Sequence, residues 1–376
     1  MICLNNKGYH RSNPHMIMNE IGFYTLAGAP NSPRDLIEEV KAAEDMGLGA
    51  MFISERFNIK EAATLSGAAA AVSERMGIAT AATNHNTRHP LVTASYAMTM
   101  HKMTGGRFSL GLGRGIAPLF DAIGLPQITT AQLEDFVSLM RRLWRGETIL
   151  GHDGPAGKFP YLSLGPEFAE HIPMTFTAFG PNSLALGGRV FDAVVLHTFF
   201  TEETTRRCVK SVKQAAEQAG RNPDEVRVWS CFATIGDHLP YELRLKKLVG
   251  RMATYLQAYG DLIVKTNDWD PAILKAFRKD AFVSGFRGAI DQKANTQELE
   301  HVASLIPELW LEAAATGTPE NCATRIQKEF DFGCDGVIMH GASPDQLAPI
   351  AEAYTHIRHA EQFTALSANP AGYSQG

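Results

Sequence analysis

Thr83-Asn84-His85-Asn86-Thr87-Arg88-His89-Pro90 opens the stretch that decides the fold, and Gly105-Gly106-Arg107-Phe108-Ser109-Leu110-Gly111-Leu112-Gly113-Arg114-Gly115 closes it. The apolar run Gly77–Ala82 leads into it, a helix beginning at Pro90 crosses it, and Phe108–Leu112 forms a second apolar run before the glycines. One β-α-β unit therefore ends two adjacent buried strands in polar and glycine-rich chemistry. In an α/β barrel, strand ends of this kind hold the cofactor.

The same alternation runs outward in both directions. Strands are expected at 21–26, 50–54, 77–82, 108–112, 174–179, 193–196, 226–233 and 336–339, each followed by amphipathic helical sequence. Leu133, Phe136, Val137, Met140, Leu143 and Trp144 make the clearest helical stripe. Most of the strands are continuously apolar, as strands buried on both faces must be. Eight such units read as a closed (β/α)8 TIM barrel, with a doubly wound open sheet as the other architecture. Ser32-Pro33, Thr318-Pro319 and Ser343-Pro344 read as helix starts, a hydroxyl cap followed by a proline whose missing N–H costs nothing.

Residues 238–312 break the rhythm between the seventh strand and its helix. Leu245, Leu248, Val249, Met252, Tyr255, Leu256 and Tyr259 trace an amphipathic helix there. An insertion after a barrel strand falls on the catalytic face, so it is expected to roof the site, and its aromatic residues suggest a largely apolar or aromatic substrate. The expected organisation is a disordered leader over 1–18, a single barrel domain over 19–360, and a flexible tail over 361–376.

The chain has 376 residues, 45% hydrophobic, with a formal net charge of -5. That charge argues against nucleic acid or an anionic membrane as a main partner. No apolar run reaches the roughly 20 residues a membrane helix needs, and residues 1–18 lack the apolar core of a signal peptide. The five cysteines form no C-x-x-C pair and read as core residues in a reduced, cytoplasmic compartment. No H-E-x-x-H or Cys/His cluster suggests a metal. The glycines at 111, 113 and 115 miss the dinucleotide register, because position 116 is Ile116.

Just past the strands stand Tyr24 and Thr25, Glu55 and Arg56, Asn84 and His85, Arg114, Gly180–Asn182, His197, Asp237 and His340. His197 and His340 directly end apolar strands. They fit either a substrate pocket or a structural cap at the rim. The turn Phe179-Gly180-Pro181-Asn182 starts a short helix, whose amides suit a phosphate.

These motifs, with Phe120-Asp121-Ala122-Ile123-Gly124-Leu125, Gly187-Gly188-Arg189 with Asp192, and Gly317-Thr318-Pro319-Glu320, resemble the bacterial luciferase-like monooxygenase superfamily. The likeness covers roughly residues 20–235 and 310–358. It is nearest to the branch that uses the deazaflavin coenzyme F420, such as methylenetetrahydromethanopterin reductase. The resemblance implies a TIM barrel with an insertion after strand seven, and a homodimer. It implies a ring stacked on a bulge in the third strand, with a cis peptide near Ala81-Ala82. It places Ala81, Ala82, Thr83 and Asn84 at the ring, and Gly113, Arg114, Gly115 and Phe179–Asn182 around the cofactor. Glu55, Arg56 and His85 become the catalytic set, and His197 and His340 face a small-molecule substrate.

The implied activity is hydride transfer between F420 and an organic substrate. FMN-dependent oxygenation and cofactor binding without turnover are the alternatives. Two positions depart from the family pattern. Ile116 stands where an acid is often found, and Glu55-Arg56 replaces an acid–histidine pair. The proton donor is then one of Glu55, His85, His197 and His340, unless the substrate needs none. Arg56 either pairs with Glu55 or anchors an anionic or carbonyl-bearing substrate.

Overall fold

A computed structural model describes residues 16–28 and 30–373. The strands in chain order are β1 (Met18–Tyr24), β2 (Leu48–Ile53), β3 (Gly77–Thr80), β4 (Phe108–Leu112), β5 (Ile149–Gly154), β6 (Gly157–Leu162), β7 (Met174–Thr177), β8 (Ala193–Val195), β9 (Arg227–Gly236), β10 (Ala315–Gly317) and β11 (Gly336–His340). Parallel pairing runs β11-β1-β2-β3-β4-β7-β8, and β9 joins β8 to β11. The ring is closed, so the barrel holds and the open sheet does not. Every residue of β2, β3, β4 and β9 is buried, which is what a ring covered by helices outside and side chains inside demands.

Inside the barrel, Phe52 and Trp229 meet edge to face at 5.0 Å. Small residues Ala50, Ala79, Ala81 and Ala193 fill the space around them. This interior is a packed core rather than a pore. Cys208, Cys231, Cys322 and Cys334 are buried and unpaired; Cys3 lies outside the described residues.

Two elements were not foreseen. β5 and β6 form an antiparallel hairpin on the outside of the barrel, tied to helix 130–144 through Asp135, which faces His152 Nε2 at 3.0 Å and accepts from the Ala156 amide. β10 extends the sheet along the outer half of β9. The first helix also starts later than its Ser32-Pro33 signal. Ser32 and Pro33 form a turn, and the helix spans Asp35–Asp45.

The expectations for the two chain ends meet the structure differently. Most of the expected leader, residues 1–15, lies outside the described residues. Met18 is buried and begins β1. The expectation of a flexible tail from 361 is corrected through Tyr373. Phe363, Leu366, Asn369 and Ala371 are buried, and this segment closes the N-terminal end of the barrel. Arg227 Nη1 donates to the Asn369 carbonyl at 2.9 Å and Trp229 Nε1 to the Pro370 carbonyl at 2.7 Å. The physical reason is the open end of the ring: inward-facing Arg227 and Trp229 carry donors that need acceptors once buried.

Residues between β9 and β10 fold into helices around a second core, in which Trp269 and Trp310 stack at 4.5 Å. Phe199, Ala233 and Ile235 join this core to the barrel.

Asn369 offers a direct test of the tail's role. Its Nδ2 donates to the Gly106 and Phe108 carbonyls at 2.7 and 2.8 Å, and its Oδ1 accepts from the Ala371 amide. Asn369→Ala should lower unfolding free energy by about 2 kcal/mol, because buried acceptors lose their donor. The urea midpoint of the variant against the parent measures this.

Candidate active site

The C-terminal ends of β3 and β4 are knitted by backbone. Thr83 N donates to Gly111 O at 3.0 Å and Gly113 N to Thr83 O at 2.9 Å. The Thr80 hydroxyl donates to Gly111 O at 2.8 Å and accepts from Gly111 N at 2.7 Å. A Cβ on Gly111 would lie 1.5 Å from the Thr80 carbonyl oxygen, so only glycine fits. The Ala81–Ala82 peptide is cis, where the resemblance put it. A Cβ on Gly113 would fall 2.9 Å from the Ala82 Cβ and 2.6 Å from Thr177 Oγ1. Ala82 and Gly113 thus make a shelf of backbone and one methyl group at the barrel mouth. A flat ring fits against such a surface without displacing a side chain.

Glu55, expected at the reacting edge, is committed elsewhere. Its Oε2 accepts from the Thr83 hydroxyl at 2.8 Å and from Asn84 Nδ2 at 3.4 Å. Its Oε1 accepts from Arg88 Nη2 at 2.7 Å and from the Ala62 amide at 3.2 Å. Arg88 also donates to the Thr83 hydroxyl at 2.8 Å and pairs with Glu61. Asn84 Oδ1 accepts the Asn86 and Thr87 amides, and His89 caps helix 90–104 by accepting from Leu91 N. The Thr83–Pro90 motif is therefore a clamp: it fixes the loop behind the shelf. With four donors on its carboxylate, Glu55 anchors this loop. Arg56 does not pair with it; Arg56 Nη2 donates to the Gly28 carbonyl, and its buried Nε has no partner among the described residues.

His85 was expected beside the ring. The imidazole packs at 5.3 Å on Phe136 of helix 130–144. Burial pushes its pKa down to about 4, so it is neutral at neutral pH, and its Nδ1 has no partner among the described residues. Arg114, expected at the cofactor, turns to the loop before the same helix. It donates to the Ile128 carbonyl at 3.1 Å and the Thr130 hydroxyl at 2.6 Å. Gly115 follows with φ +68° against the Phe120 ring.

Gly180 is the N-cap of helix Pro181–Val190. The Ser183 and Leu184 amides both bond back to Gly180 O at 3.0 Å, and Pro181 has no N–H. Of this first turn, the Asn182 amide remains for an incoming anion.

The roof supplies what the strand ends do not. Helix Arg251–Thr266, with a break at Tyr259, brings Arg251, Tyr255 and Tyr259 to the mouth at intervals of four residues. Tyr259 OH lies 3.0 Å from His197 Nε2, and His197 Nδ1 lies 2.9 Å from the Thr198 carbonyl. A carbonyl only accepts, so Nδ1 carries the proton and Nε2 accepts from Tyr259. Burial pushes His197 down to about 4, which keeps it neutral. Phe179 lies against His197 at 4.3 Å, and Tyr255 at 5.0 Å. At the other end of the helix, Arg251 Nη1 faces His340 Nε2 at 3.4 Å, and Tyr24 meets the His340 ring edge-on at 5.3 Å. Burial first, then Arg251, drives His340 well below its ordinary pKa.

The two strand-end histidines thus reach one roof helix. The tyrosines of that helix were legible in the sequence only as an amphipathic stripe. Arg251 was not singled out, although it sits one turn before Tyr255 on the same face.

The family described as luciferase-like monooxygenase matches residues 15–361 of the chain. Over 305 residues the chain is 27% identical to 5,10-methylenetetrahydromethanopterin reductase of Methanolobus tindarius, covering 79% of this chain and 87% of that protein. The coenzyme F420 dependent tetrahydromethanopterin reductase of Methanopyrus kandleri superposes with a TM-score of 0.75 at 19% identity, over 90% of this chain and 99% of that one. An F420-dependent secondary alcohol dehydrogenase, solved with an F420-acetone adduct, gives 0.66 at 17%, with coverage of 90% and 99%.

The clamp reading makes Glu55 a stability residue. Glu55→Ala leaves Arg88, only 16% exposed, without its main partner, and should cost about 3 kcal/mol. Chemical denaturation measures that loss. An unchanged midpoint would argue that the carboxylate is held for chemistry instead.

Proposed function

This chain belongs to the luciferase-like monooxygenase family, and from that membership we propose that it is an F420-dependent oxidoreductase moving a hydride between the coenzyme and a small organic substrate. The observation that carries the reading is the shelf at Ala82 and Gly113, which itself presents no side chain larger than a methyl group. The reductase relative supports the reaction class, and the named F420 enzymes among the solved structures share the fold. When bound, F420 supplies a ring carbon that gives or takes a hydride.

The chain's own residues do the rest. Ala82 and Gly113 receive one face of the ring, and the Asn182 amide at its helix start takes the phosphate. Phe179, Tyr255 and Tyr259 wall the mouth with aromatic surface and limit water there. Glu55 and His85 are occupied in the clamp and in packing. The proton is then handled by the pair Tyr259 and His197, whose hydroxyl and Nε2 already share one hydrogen bond.

Titration with F420 and with FMN, followed by absorbance or fluorescence, tests the cofactor. F420 should bind at least about tenfold more tightly than FMN, a difference of about 1.4 kcal/mol. Tighter FMN binding would overturn the assignment in favour of a flavin monooxygenase. Ala82→Leu places a branched side chain on the shelf. It should weaken F420 by about tenfold or more while leaving the far-UV circular dichroism unchanged.

A further inference from the structure

Across the mouth from the shelf lies a second site. In the ring order β11-β1-β2-β3-β4-β7-β8-β9, the pair β11 and β1 stands opposite β4 and β7. Between the loops after β1 and β11 and the roof is a cavity of about 260 Å³, lined by Gly28, Lys247, Arg251, Asp291, Gly341 and Gln346 among others. Lys247 and Arg251 are brought to one side of it by the π-helical turn Lys246–Gly250, which ends where the roof helix begins.

Among the described residues, Lys246, Lys247 and Arg251 line this cavity against one acid, Asp291, with Arg56 and Lys60 outside its wall. Lys247 donates to the Gly341 carbonyl and Arg56 to the Gly28 carbonyl, both neutral partners. Behind them, buried Lys60 donates to the Thr25 and Leu26 carbonyls at 2.8 and 3.2 Å. Asp291 is the acid in the cavity wall, and it already pairs with Arg251 at 3.1 Å. Glu39 accepts from the Thr25 hydroxyl and the Leu26 amide. The crowding shows in the titration of the lysines. Burial, then Arg56, brings Lys60 down to about 7, and burial, then Arg251, brings Lys247 down to about 8. Arg251 is held up by Tyr255 and Asp291, and Glu39 and Asp345 only partly offset the lowering of Lys60 and Lys247. Neither lysine bonds to a carboxylate among the described residues, so an anion placed beside Lys247 would be favoured.

We propose that this cavity binds an anionic group of the substrate, a carboxylate or a phosphate ester, on Lys247 and Arg251, so that the rest of the substrate extends across the mouth toward the shelf. The proposal deepens the oxidoreductase reading and rests on it for the word substrate; the anion site itself does not. It also amends the expectation of a largely apolar substrate. The aromatic wall at Phe179, Tyr255 and Tyr259 covers one half of the mouth, and the cations cover the other.

The test uses the cofactor-free protein with inorganic phosphate and, separately, succinate, by calorimetry and by the shift in melting temperature. One of the two anions should bind the parent, and the tighter one identifies the group. Lys247→Met should weaken it at least fivefold, and Lys247→Arg should retain it. Gln346→Glu is the second variant. Residue 346 completes the capping box of helix 344–357, a position where Glu serves as well as Gln, so the fold is kept while the cavity gains a negative charge. It should also lose at least fivefold. Equal anion affinity in the parent, Lys247→Met and Gln346→Glu would overturn the site. F420 titration of the same variants separates the two readings. Unchanged F420 affinity with lost anion binding is the expected result. A parallel loss of both would give the cavity to the coenzyme and overturn the substrate assignment. Failure of the parent to bind F420, with Lys247-dependent anion binding intact, would sink the cofactor reading and leave the anion site standing.

Discussion

Gly111 and the Thr80 carbonyl approach so closely that no side chain can stand between them. That contact draws the ends of β3 and β4 together, and the Thr80 hydroxyl completes it by serving the amide and the carbonyl of the same glycine. The chain beyond Thr80 then turns through the cis Ala81–Ala82 peptide and rejoins β4 at Thr83. Without a side chain at 111, and with only methyl groups at 81 and 82, the mouth of the barrel presents backbone where other barrels present side chains. The clamp of Glu55, Thr83, Asn84 and Arg88 keeps that backbone in place from behind. A buried, fully paired carboxylate is well suited to this, because each lost partner leaves a charge or a donor uncompensated.

The barrel is closed at both ends by segments remote in sequence. At the N-terminal end, residues 363–373 accept from Arg227 Nη1 and Trp229 Nε1, and Asn369 reaches back to the start of β4. At the C-terminal end, the roof helix touches His197 at the end of β8 and His340 at the end of β11. The two ends do different work. The lower plug is hydrogen-bonded and buried, and it fixes the interior. The upper roof leaves a cavity, an aromatic half and a cationic half, and that asymmetry gives the mouth a direction from Lys247 and Arg251 to the shelf.

How far the sequence could be read depended on whether a residue's partner was local. The eight strands, the helix starts at Thr318 and Ser343, the glycines of β4 and the small residues at 81 and 82 all follow from patterns of a few residues. The motif Thr83–Pro90 was legible as important, but its work was not. Glu55 looked like a catalytic acid because it ends a barrel strand; Arg88, 33 positions later, makes it an anchor. His85 was read as catalytic and Arg114 as cofactor-binding, and helix 130–144 with its preceding loop contacts both. The tail was expected to be flexible, yet two Asn369 hydrogen bonds, to Gly106 and Phe108, hold it to the barrel.

The sequence by itself determined the alternating architecture, the glycine loop at the end of β4 and the insertion after β9, because burial periodicity and backbone freedom are properties of neighbouring residues; the bulge after β3 was implied by the family resemblance. Only the tertiary structure decided which charged groups are free. Side-chain protonation and availability depend on partners tens to hundreds of positions away. So Glu55 and Arg88 cancel each other behind the shelf and Asp291 pairs with Arg251, while Arg56, Lys60 and Lys247 donate to carbonyls rather than to carboxylates.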